Sequence, residues 1–318
     1  MLKILTEAGY KKGFGHYSRI SSLFDNFQSA NIPFKVIVDG DDVAKELIQG
    51  DFIDFEKWNS VEFLRNEVNK NDVILIDSYS YDILFLEYAK NCCKDIIVID
   101  DNKRLDYENV KIINPNYFGE SIDYSMDRGN TYFIGAKYTL LKSAFKHGRK
   151  RNVKDQVTSV LITMGGSDVS NITVPIMKEI ISINHNVKLN VVATNAFRNL
   201  SDIKKQIRKK DNLVIGASPE KMAELMTDAD FAVAAAGGTS NELIRSKCPS
   251  ILISVADNQK LNLEYLYRKG IAEQFDETTL YRINKMFDVQ KRKELVNNME
   301  KVVTEEKTFE VILDIIEK

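Results

Sequence analysis

Short hydrophobic runs alternate with amphipathic stretches along the first part of the chain. The runs are rich in Val and Ile and predict buried strands at Leu2–Leu5, Phe34–Val38, Val73–Ile76 and Ile96–Ile99, with another near Thr131–Ile134. Between them, apolar residues at helical spacing predict helices at Tyr17–Ala30, Ser60–Asn69 and Tyr81–Asn91. This alternation of strand and helix predicts a mostly parallel sheet that helices cover on both faces.

A second series of the same kind follows a polar, basic stretch at Lys146–Lys154. That stretch has no periodicity, and we interpret it as a solvated linker between domains in preference to a binding patch. Beyond it, the predicted strands are Val157–Thr163, Leu189–Val192, Leu213–Ile215, Phe231–Ala235 and Ile251–Val255. The predicted helices are Val174–Ile183, Ser201–Lys209, Pro219–Met226, Asn241–Lys247, Gln259–Lys269, Asp288–Asn298 and Phe309–Glu317.

The two series predict an α/β protein with two doubly wound, Rossmann-like domains that face each other across a cleft. The expected boundaries are residues 1–145 for the first domain and 155–300 for the second, with residues 301–318 forming a C-terminal helix that packs back on the first. Doubly wound sheets bind ligands beyond the carboxyl ends of their strands. Functional side chains are therefore expected in the loops that follow strands.

Composition narrows the class of protein. The chain has 318 residues, enough for two domains, and its 44 basic and 46 acidic residues give a net charge of −2. Nucleic-acid and membrane surfaces normally show a basic excess, so neither partner is expected. No apolar run approaches the roughly 18 residues of a membrane span, and the apolar run at the N-terminus is too short for a signal peptide. The three cysteines form no CxxC pair, so we expect free thiols in a cytoplasmic protein.

Three glycine-containing loops lie between a predicted strand and the helix that follows it. They are Gly13–His16, Met164–Asp168 and Ala236–Glu242. A glycine-rich turn into a helix exposes backbone N–H groups and the positive end of the helix dipole, which together suit a phosphate. Two such loops in the second domain predict that this domain binds a diphosphate.

The first loop also approaches a dinucleotide-binding fingerprint, because Asp39 closes the next strand where a ribose-binding acid would lie. Ser18 replaces the third glycine, however, and the loop begins well after Leu2–Leu5, so we do not favour this interpretation. Asp39-Gly40-Asp41 resembles the DxD of metal-dependent sugar transferases. No His or Glu cluster supports a metal there, and we interpret it as a turn.

His16 is the strongest candidate for a catalytic base. It stands at the start of a predicted helix, directly after Gly13 and Gly15, where the helix dipole disfavours a protonated ring. A neutral histidine can accept a proton from water. The other two histidines, His147 in the linker and His185 in a polar turn, are expected at the surface.

Glu242 has two interpretations that the sequence leaves open. Thr239 and Glu242 have the spacing of a capping box, in which the glutamate bonds the backbone N–H of the cap. Alternatively, its carboxylate accepts both hydroxyls of a ribose. Asn258 and Gln259 are similarly open, because residues that begin a helix either cap it or bond a sugar or phosphate.

Several of these motifs, taken together, resemble a known enzyme family. The segments Gly13–Arg19, Ile76–Tyr79, Val98–Asp101 and Gly135–Leu141 are similar to motifs of the UDP-sugar hydrolase of pseudaminic acid biosynthesis. So are Met164–Asn171, Gly237–Leu243 and Asp257–Gln259. The motifs occur in the same order and span most of the chain.

The resemblance implies the two-domain fold of the GT-B glycosyltransferases, with a UDP site in the second domain and no metal or cofactor. It implies hydrolysis of UDP-2,4-diacetamido-2,4,6-trideoxy-altrose to free sugar and UDP. If His16 activates water against the anomeric carbon, we expect the anomeric C–O bond to break with inversion. His16 would be the base, and Tyr79 would orient the water or the sugar, unless it is only a packed aromatic residue. The residues assigned to substrate binding are Gly13, Gly15, Arg19, Gly165, Gly166, Ser167, Gly237, Gly238, Thr239, Ser240, Glu242, Asn258 and Gln259.

Two other functions remain open. A glycosyltransferase would use the same donor site with an acceptor in place of water, and a nucleotide-sugar-binding subunit would need a partner for catalysis. A base such as His16 favours an enzyme, because binding alone does not require one. The segment Leu2–Asn130 has no apolar or basic patch of the kind expected for action at a membrane, which favours water or a soluble acceptor.

Overall fold

The structure is a computed structural model that describes residues 1–124, 128–146, 151–168, 170–275 and 280–318. The chain forms two compact units. Unit 1 comprises Met1–Lys142 together with Thr304–Lys318, and unit 2 comprises Ser143–Val303. Of the predicted linker, residues 147–150 with His147 lie outside the described residues, as does Val169 of the second glycine loop.

Each unit is built on one parallel sheet. The strands of unit 1 are β1 (Leu2–Ala8), β2 (Phe34–Gly40), β3 (Ile53–Phe55), β4 (Val73–Asp77), β5 (Asp95–Ile99), β6 (Lys111–Asn114) and β7 (Thr131–Ile134). Those of unit 2 are β8 (Ser159–Thr163), β9 (Lys188–Ala193), β10 (Asn212–Ile215), β11 (Phe231–Ala235), β12 (Ser250–Ile253) and β13 (Glu273–Gln274). The strand orders are β3-β2-β1-β4-β5-β6-β7 and β10-β9-β8-β11-β12-β13.

Helices connect the strands. In chain order they are α1 (Gly15–Ile20), α2 (Phe24–Ser29), α3 (Asp42–Leu47), α4 (Val61–Glu67), α5 (Ile83–Lys90), α6 (Ser143–Lys146), α7 (Thr173–Ile183), α8 (Leu200–Gln206), α9 (Pro219–Asp228), α10 (Thr239–Arg245), α11 (Lys260–Arg268), α12 (Leu280–Lys285), α13 (Val289–Val302) and α14 (Thr308–Glu317). Short 3₁₀ turns lie at Ser21–Leu23, Gly119–Ser121, Ala136–Tyr138 and Asp257–Gln259. No helix in the described ranges is long and apolar enough to cross a membrane.

The sheet of unit 1 is covered on both faces because successive strand residues point to opposite sides. In β1, Ile4 packs into one hydrophobic core and Leu5 into the other. Helix α14, from the end of the chain, adds Ile312 and Ile315 to the core that contains Ile4. In unit 2, one core joins β8 to α7 and α13. The predicted class, two parallel-sheet α/β halves, is confirmed.

The structure differs from the predicted elements mainly at short strands and strand ends. β1 continues to Ala8, beyond the predicted end at Leu5, because the polar residues Thr6 and Glu7 are buried within it. Strands β3, β6 and β13 were not predicted, since they are short and contain few consecutive apolar residues. The predicted helix Tyr17–Ala30 is interrupted by a 3₁₀ turn, which separates α1 from α2.

Both sheets change direction at a central pair of strands. In unit 1 the chain winds outward to one side of β1 through β2, then returns to its other side with β4. In unit 2 the same change occurs between β8 and β11. The loops at the carboxyl ends of such a pair diverge and leave a crevice, which is where doubly wound sheets bind ligands.

Candidate active site

The crevice of unit 1 is lined by carboxylates at the ends of three adjacent strands. Glu7 is near the end of β1, Asp77 is the last residue of β4, and Asp101 is the second residue after β5. Parallel strands end at the same edge of a sheet, so these side chains come together although they are far apart in sequence. Glu7 and Asp77 are buried.

His16 reaches this edge from the first turn of α1. The chain leaves β1 and forms a tight loop in which Gly9 and Gly13 exchange two backbone hydrogen bonds of 3.0 and 2.8 Å. Gly13 has a φ of +73°, a backbone conformation that favours glycine. Helix α1 then begins at Gly15 and presents His16 to the carboxylates.

His16 and Asp77 form a hydrogen-bonded pair. The Nδ1 atom of His16 lies 2.7 Å from Oδ1 of Asp77. Burial opposes ionisation of Asp77, but the Arg19 guanidinium and His16 outweigh burial and hold the pKa of Asp77 below its ordinary value. An ionised carboxylate only accepts hydrogen bonds, so Nδ1 of His16 carries a proton, and in the neutral ring Nε2 then keeps its lone pair. In that form Nε2 can accept a proton.

Arg19, one turn further along α1, bonds two of the carboxylates. Its Nε donates to Oδ2 of Asp77 over 2.9 Å and its Nη2 to Oδ1 over 2.5 Å, a two-point contact. Its Nη1 donates to Oδ1 of Asp101 over 2.6 Å. Sequence reasoning assigned Arg19 to substrate binding, whereas these contacts lie within the protein.

Tyr79 lies beside His16, with the two rings edge-to-face and their centroids 4.6 Å apart. Its hydroxyl donates to Oδ2 of Asp101 over 2.8 Å. Burial opposes ionisation of Asp101, but Arg19, Asn116 and Tyr79 together lower the pKa of Asp101 to about 2. Asp101 therefore holds Tyr79 in the same way that Asp77 holds His16.

Glu7 ties the loop after β4 to this site. Its carboxylate accepts the backbone N–H of Tyr79 over 3.0 Å and the hydroxyl of Ser80. Burial opposes ionisation, but the bonds from Ser80 and Tyr79 and the nearby His16 keep the pKa of Glu7 below its ordinary value. Its Oε1 lies 3.6 Å from Nε2 of His16. Glu7 and Asp77 thus flank the two nitrogens of the His16 ring.

The crevice of unit 2 is lined by backbone. Gly165–Ser167 follow β8, and Gly237–Ser240 follow β11, so the two glycine loops lie at the central strand pair. Gly166 and Gly238 are exposed, and a methyl group built on either would meet nothing within 4 Å. Neither has a positive φ. The backbone conformation and the packing of the protein therefore do not require glycine at these two positions. Close approach of a ligand to the backbone would require it.

The side chains around these loops serve different purposes. Ser240 is fully buried, donates to the carbonyl of Gly237 over 2.7 Å and accepts from Asn262 over 2.8 Å, so its hydroxyl is used inside the protein. Gln259 accepts the N–H of Val255 over 3.0 Å, and its amide nitrogen lies beside Gly237. Asn258 is exposed on the same 3₁₀ turn, and Ser167 and Thr239 are half-buried.

Glu242 does not form the predicted capping box. Helix α10 begins at Thr239 and its cap is Gly238, so Thr239 and Glu242 are each one position too far along the helix. Glu242 is half-buried in the first part of α10, next to the glycine loop. Of the two interpretations that the sequence left open, the geometry of the helix start favours a ligand.

Curated proteins of related sequence include sugar-nucleotide hydrolases. An uncharacterised protein of Methanocaldococcus jannaschii is 27% identical to this chain, and the match covers 79% of this chain and 55% of the relative. The pseudaminic acid cytidylyltransferase and UDP-2,4-diacetamido-2,4,6-trideoxy-β-L-altropyranose hydrolase of Helicobacter pylori is 23% identical. That match covers 94% of this chain and 53% of the relative. The UDP-2,4-diacetamido-2,4,6-trideoxy-β-L-altropyranose hydrolase of Campylobacter jejuni is 23% identical. That match covers 85% of this chain and 97% of the relative. The chain spans about half the length of the first two. The resemblance seen in the motifs is confirmed.

Solved structures agree on the architecture. MurG of Acinetobacter baumannii matches with a TM-score of 0.67 and 14% identity, over 99% of both chains. UGT2 of Phytolacca americana, solved with UDP-2-fluoro-glucose and pterostilbene, matches with a TM-score of 0.64 and 8% identity, over 100% of this chain and 99% of that one. The chain has the GT-B fold. No protein-family model matches the sequence.

Within this GT-B chain, sequence reasoning found His16 and Tyr79 but overlooked the carboxylates that hold them. Asp77 and Asp101 stood in segments that resemble the hydrolase family, and each ends a hydrophobic run, which was the available signal. Glu7 gave no such signal, because the predicted strand stopped at Leu5. The structure brings His16, Arg19 and Tyr79 together in unit 1 and places the predicted nucleotide residues in unit 2.

The acidic turn Asp39-Gly40-Asp41 has a structural role in the GT-B chain. The carboxylate of Asp41 caps α3 by accepting the N–H of Ala44 over 3.0 Å, and it also accepts the N–H of Tyr10 over 2.7 Å. Asp39 pairs with Lys12. Across the described ranges, no group of three or more His, Cys, Asp or Glu residues is arranged to hold a metal ion.

Proposed function

We propose that this protein hydrolyses a UDP-activated amino sugar at the anomeric C–O bond and releases free sugar and UDP, as a step in the biosynthesis of a pseudaminic-type acid. The named relatives support the substrate class, since two of them are UDP-diacetamido-trideoxy-altropyranose hydrolases. The observation that carries the proposal is the pairing of His16 with Asp77, which leaves Nε2 as a base.

We assign the nucleotide to unit 2 because the two crevices differ in charge. In unit 1, Glu7, Asp77 and Asp101 have lowered pKa values and are ionised at neutral pH, so they repel a diphosphate. In unit 2, the glycine loops expose backbone at Gly166 and Gly238, and backbone N–H groups suit a phosphate. Glu242 would accept the ribose hydroxyls.

The proposed reaction is a single displacement. Nε2 of His16 takes a proton from water as the water oxygen bonds to the anomeric carbon. The bond from that carbon to the phosphate oxygen breaks, and its electron pair leaves with UDP. No carboxylate of the site is left free to attack the sugar, because Asp77, Asp101 and Glu7 are each bonded by two or more partners. Attack by water from the opposite face inverts the anomeric configuration. The proposal includes no metal.

The protein chain alone should catalyse this reaction. Purified protein, treated with EDTA, is incubated with a panel of UDP-sugars, and released UDP is measured. Release of UDP and free sugar from a UDP-diacetamido-trideoxy sugar, without metal or acceptor, supports the proposal. Stoichiometric binding of the same sugar nucleotide with no release under any of these conditions would contradict it and leave a binding subunit.

A glycosyltransferase is the second candidate, and the GT-B fold is the observation that favours it. It would use the same nucleotide site, and His16 would then activate an acceptor hydroxyl in place of water. The two functions separate in the same assay. A transferase should show slow UDP release that rises many-fold when the acceptor is added, and its sugar should appear bonded to that acceptor.

A further inference from the structure

Arg19 joins the two arms of the unit 1 site. One arm is the pair of Asp77 and His16, and the other is the pair of Asp101 and Tyr79. Arg19 donates three hydrogen bonds of 2.5 to 2.9 Å to the two aspartates and touches both arms at once. No other side chain among the hydrogen bonds of the described residues bridges them in this way.

We propose that Arg19 is a positioning residue of the hydrolysis and not a substrate contact: it fixes the aspartates that hold His16 and Tyr79. The inference rests on the proposed function for the reaction it serves. The arrangement itself can be measured without that reaction.

The inference rests on geometry. A guanidinium that contacts both oxygens of a carboxylate fixes its plane as well as its position, which an ammonium cannot do. In Asp77 this plane directs Oδ1 at Nδ1 of His16, because Oδ1 accepts both the ring and Nη2 of Arg19. Without Arg19 the carboxylate is free to rotate, and the His16 ring loses its fixed orientation.

Two substitutions separate geometry from charge. Arg19→Lys keeps the charge and loses the two-point contact, whereas Arg19→Gln loses both. We expect kcat to fall on the order of 10- to 100-fold in each, with KM and UDP affinity unchanged, because a displaced base slows the chemical step. Arg65→Gln is the matched control, since Arg65 bonds the Tyr88 hydroxyl on the exposed surface of unit 1.

Nitrogen-15 NMR of the histidines tests the same arrangement without turnover. The chain has three histidines, and the His16 signals are those that disappear in His16→Phe. In the wild type the neutral His16 ring should carry its proton on Nδ1. In Arg19→Lys and Arg19→Gln the neutral ring should populate both tautomers.

The outcomes divide clearly. An increase in KM or a loss of UDP affinity with unchanged kcat in Arg19→Lys would make Arg19 a substrate contact and overturn the inference. His16 signals identical in the wild type and both variants would overturn it as well. If Arg19→Gln does not fold, Arg19→Lys alone decides through kcat and the tautomer. If the wild type hydrolyses no UDP-sugar, the proposed function fails while the NMR result still decides the role of Arg19.

Discussion

The two units place a candidate site at the same position of the same kind of sheet, but they fill it with different chemistry. At the β1–β4 crevice of unit 1, charged side chains bond one another in a closed network. At the β8–β11 crevice of unit 2, the exposed residues of the two glycine loops are Gly166 and Gly238. There the aspartate of the loop, Asp168, is buried and turns inward to accept the N–H groups of Ile172 and Thr173 at the start of α7. Topology thus determines where a site forms, and side chains determine what it does.

The difference corresponds to two requirements of catalysis. Proton transfer needs groups held in fixed positions, and the ionised carboxylates of unit 1 supply fixed dipoles around His16. Binding a nucleotide needs room and backbone donors, and we propose that the loops of unit 2 supply both. We therefore expect changes in unit 1 to alter rate and changes in unit 2 to alter affinity.

His16→Phe gives the largest expected effect. Turnover should fall by about 10²- to 10⁴-fold, the usual cost of losing a general base, while UDP affinity stays unchanged. Steady-state kinetics and calorimetric titration with UDP measure the two quantities, and His185→Phe, at an exposed turn of unit 2, is the control. A parallel loss of UDP affinity would show that catalysis and UDP binding are not separated between unit 1 and unit 2.

Glu242→Ala tests the other side of the comparison. Loss of the bonds to the ribose hydroxyls should weaken UDP by about 1–3 kcal/mol, and kcat at saturating substrate should change little. Glu224→Ala, which removes an exposed carboxylate on α9, is the matched control. Unchanged UDP affinity in a folded Glu242→Ala protein would remove Glu242 from the nucleotide site.

Gly166→Ala separates binding from stability. The added methyl group has open space in the free protein, so the free energy of unfolding should change by less than about 0.5 kcal/mol. A ligand that approaches this backbone closely would clash with it, at about 1–3 kcal/mol, so UDP should bind roughly 5- to 150-fold more weakly. Normal UDP affinity in Gly166→Ala would contradict a close approach of UDP to the backbone of Gly166.

The smallest effect concerns the stability of unit 1 in acid. The pKa of Asp101 falls from 3.8 to about 2 on folding, so its ionised form stabilises the fold above about pH 4. That contribution, about 2 kcal/mol, is lost as the pH falls through about 2. The difference in unfolding free energy between the wild type and Asp101→Asn should therefore shrink toward pH 2. Trp58, the single tryptophan, is fully buried in unit 1 and reports its unfolding. A difference that stays constant with pH would contradict the ion pair.

Hydrophobic periodicity was sufficient to predict the two α/β halves, because apolar residues predominate in their central strands. It failed at β6, where Lys111 and Asn114 leave only two apolar residues in the strand. Periodicity also predicted an end of β1 that is too early, since Thr6 and Glu7 are polar residues whose burial is compensated by hydrogen bonds. Thr6 bonds the carbonyl of Asp77, and Glu7 bonds the Tyr79–Ser80 loop.

The site was predictable only in part, for a related reason. His16 and the glycine loops are local features that a sequence displays. The pairing of His16 with Asp77 joins residues 61 positions apart, and that of Arg19 with Asp101 joins residues 82 apart. Strand order, which the sequence does not state, brings them together. The exact start of a helix is likewise not evident from the sequence. Helix α10 begins one residue earlier than a capping box of Thr239 and Glu242 requires.

The division of labour between the two regions is tested most directly by the bond that breaks. If His16 activates water against the anomeric carbon, hydrolysis in ¹⁸O-labelled water must place the label in the free sugar. Proton NMR of the first-formed sugar should then show the inverted anomer before mutarotation. Mass spectrometry that finds the label in UDP would contradict the account, because water would then have attacked phosphorus and the glycine loops of unit 2 would belong to a pyrophosphatase site.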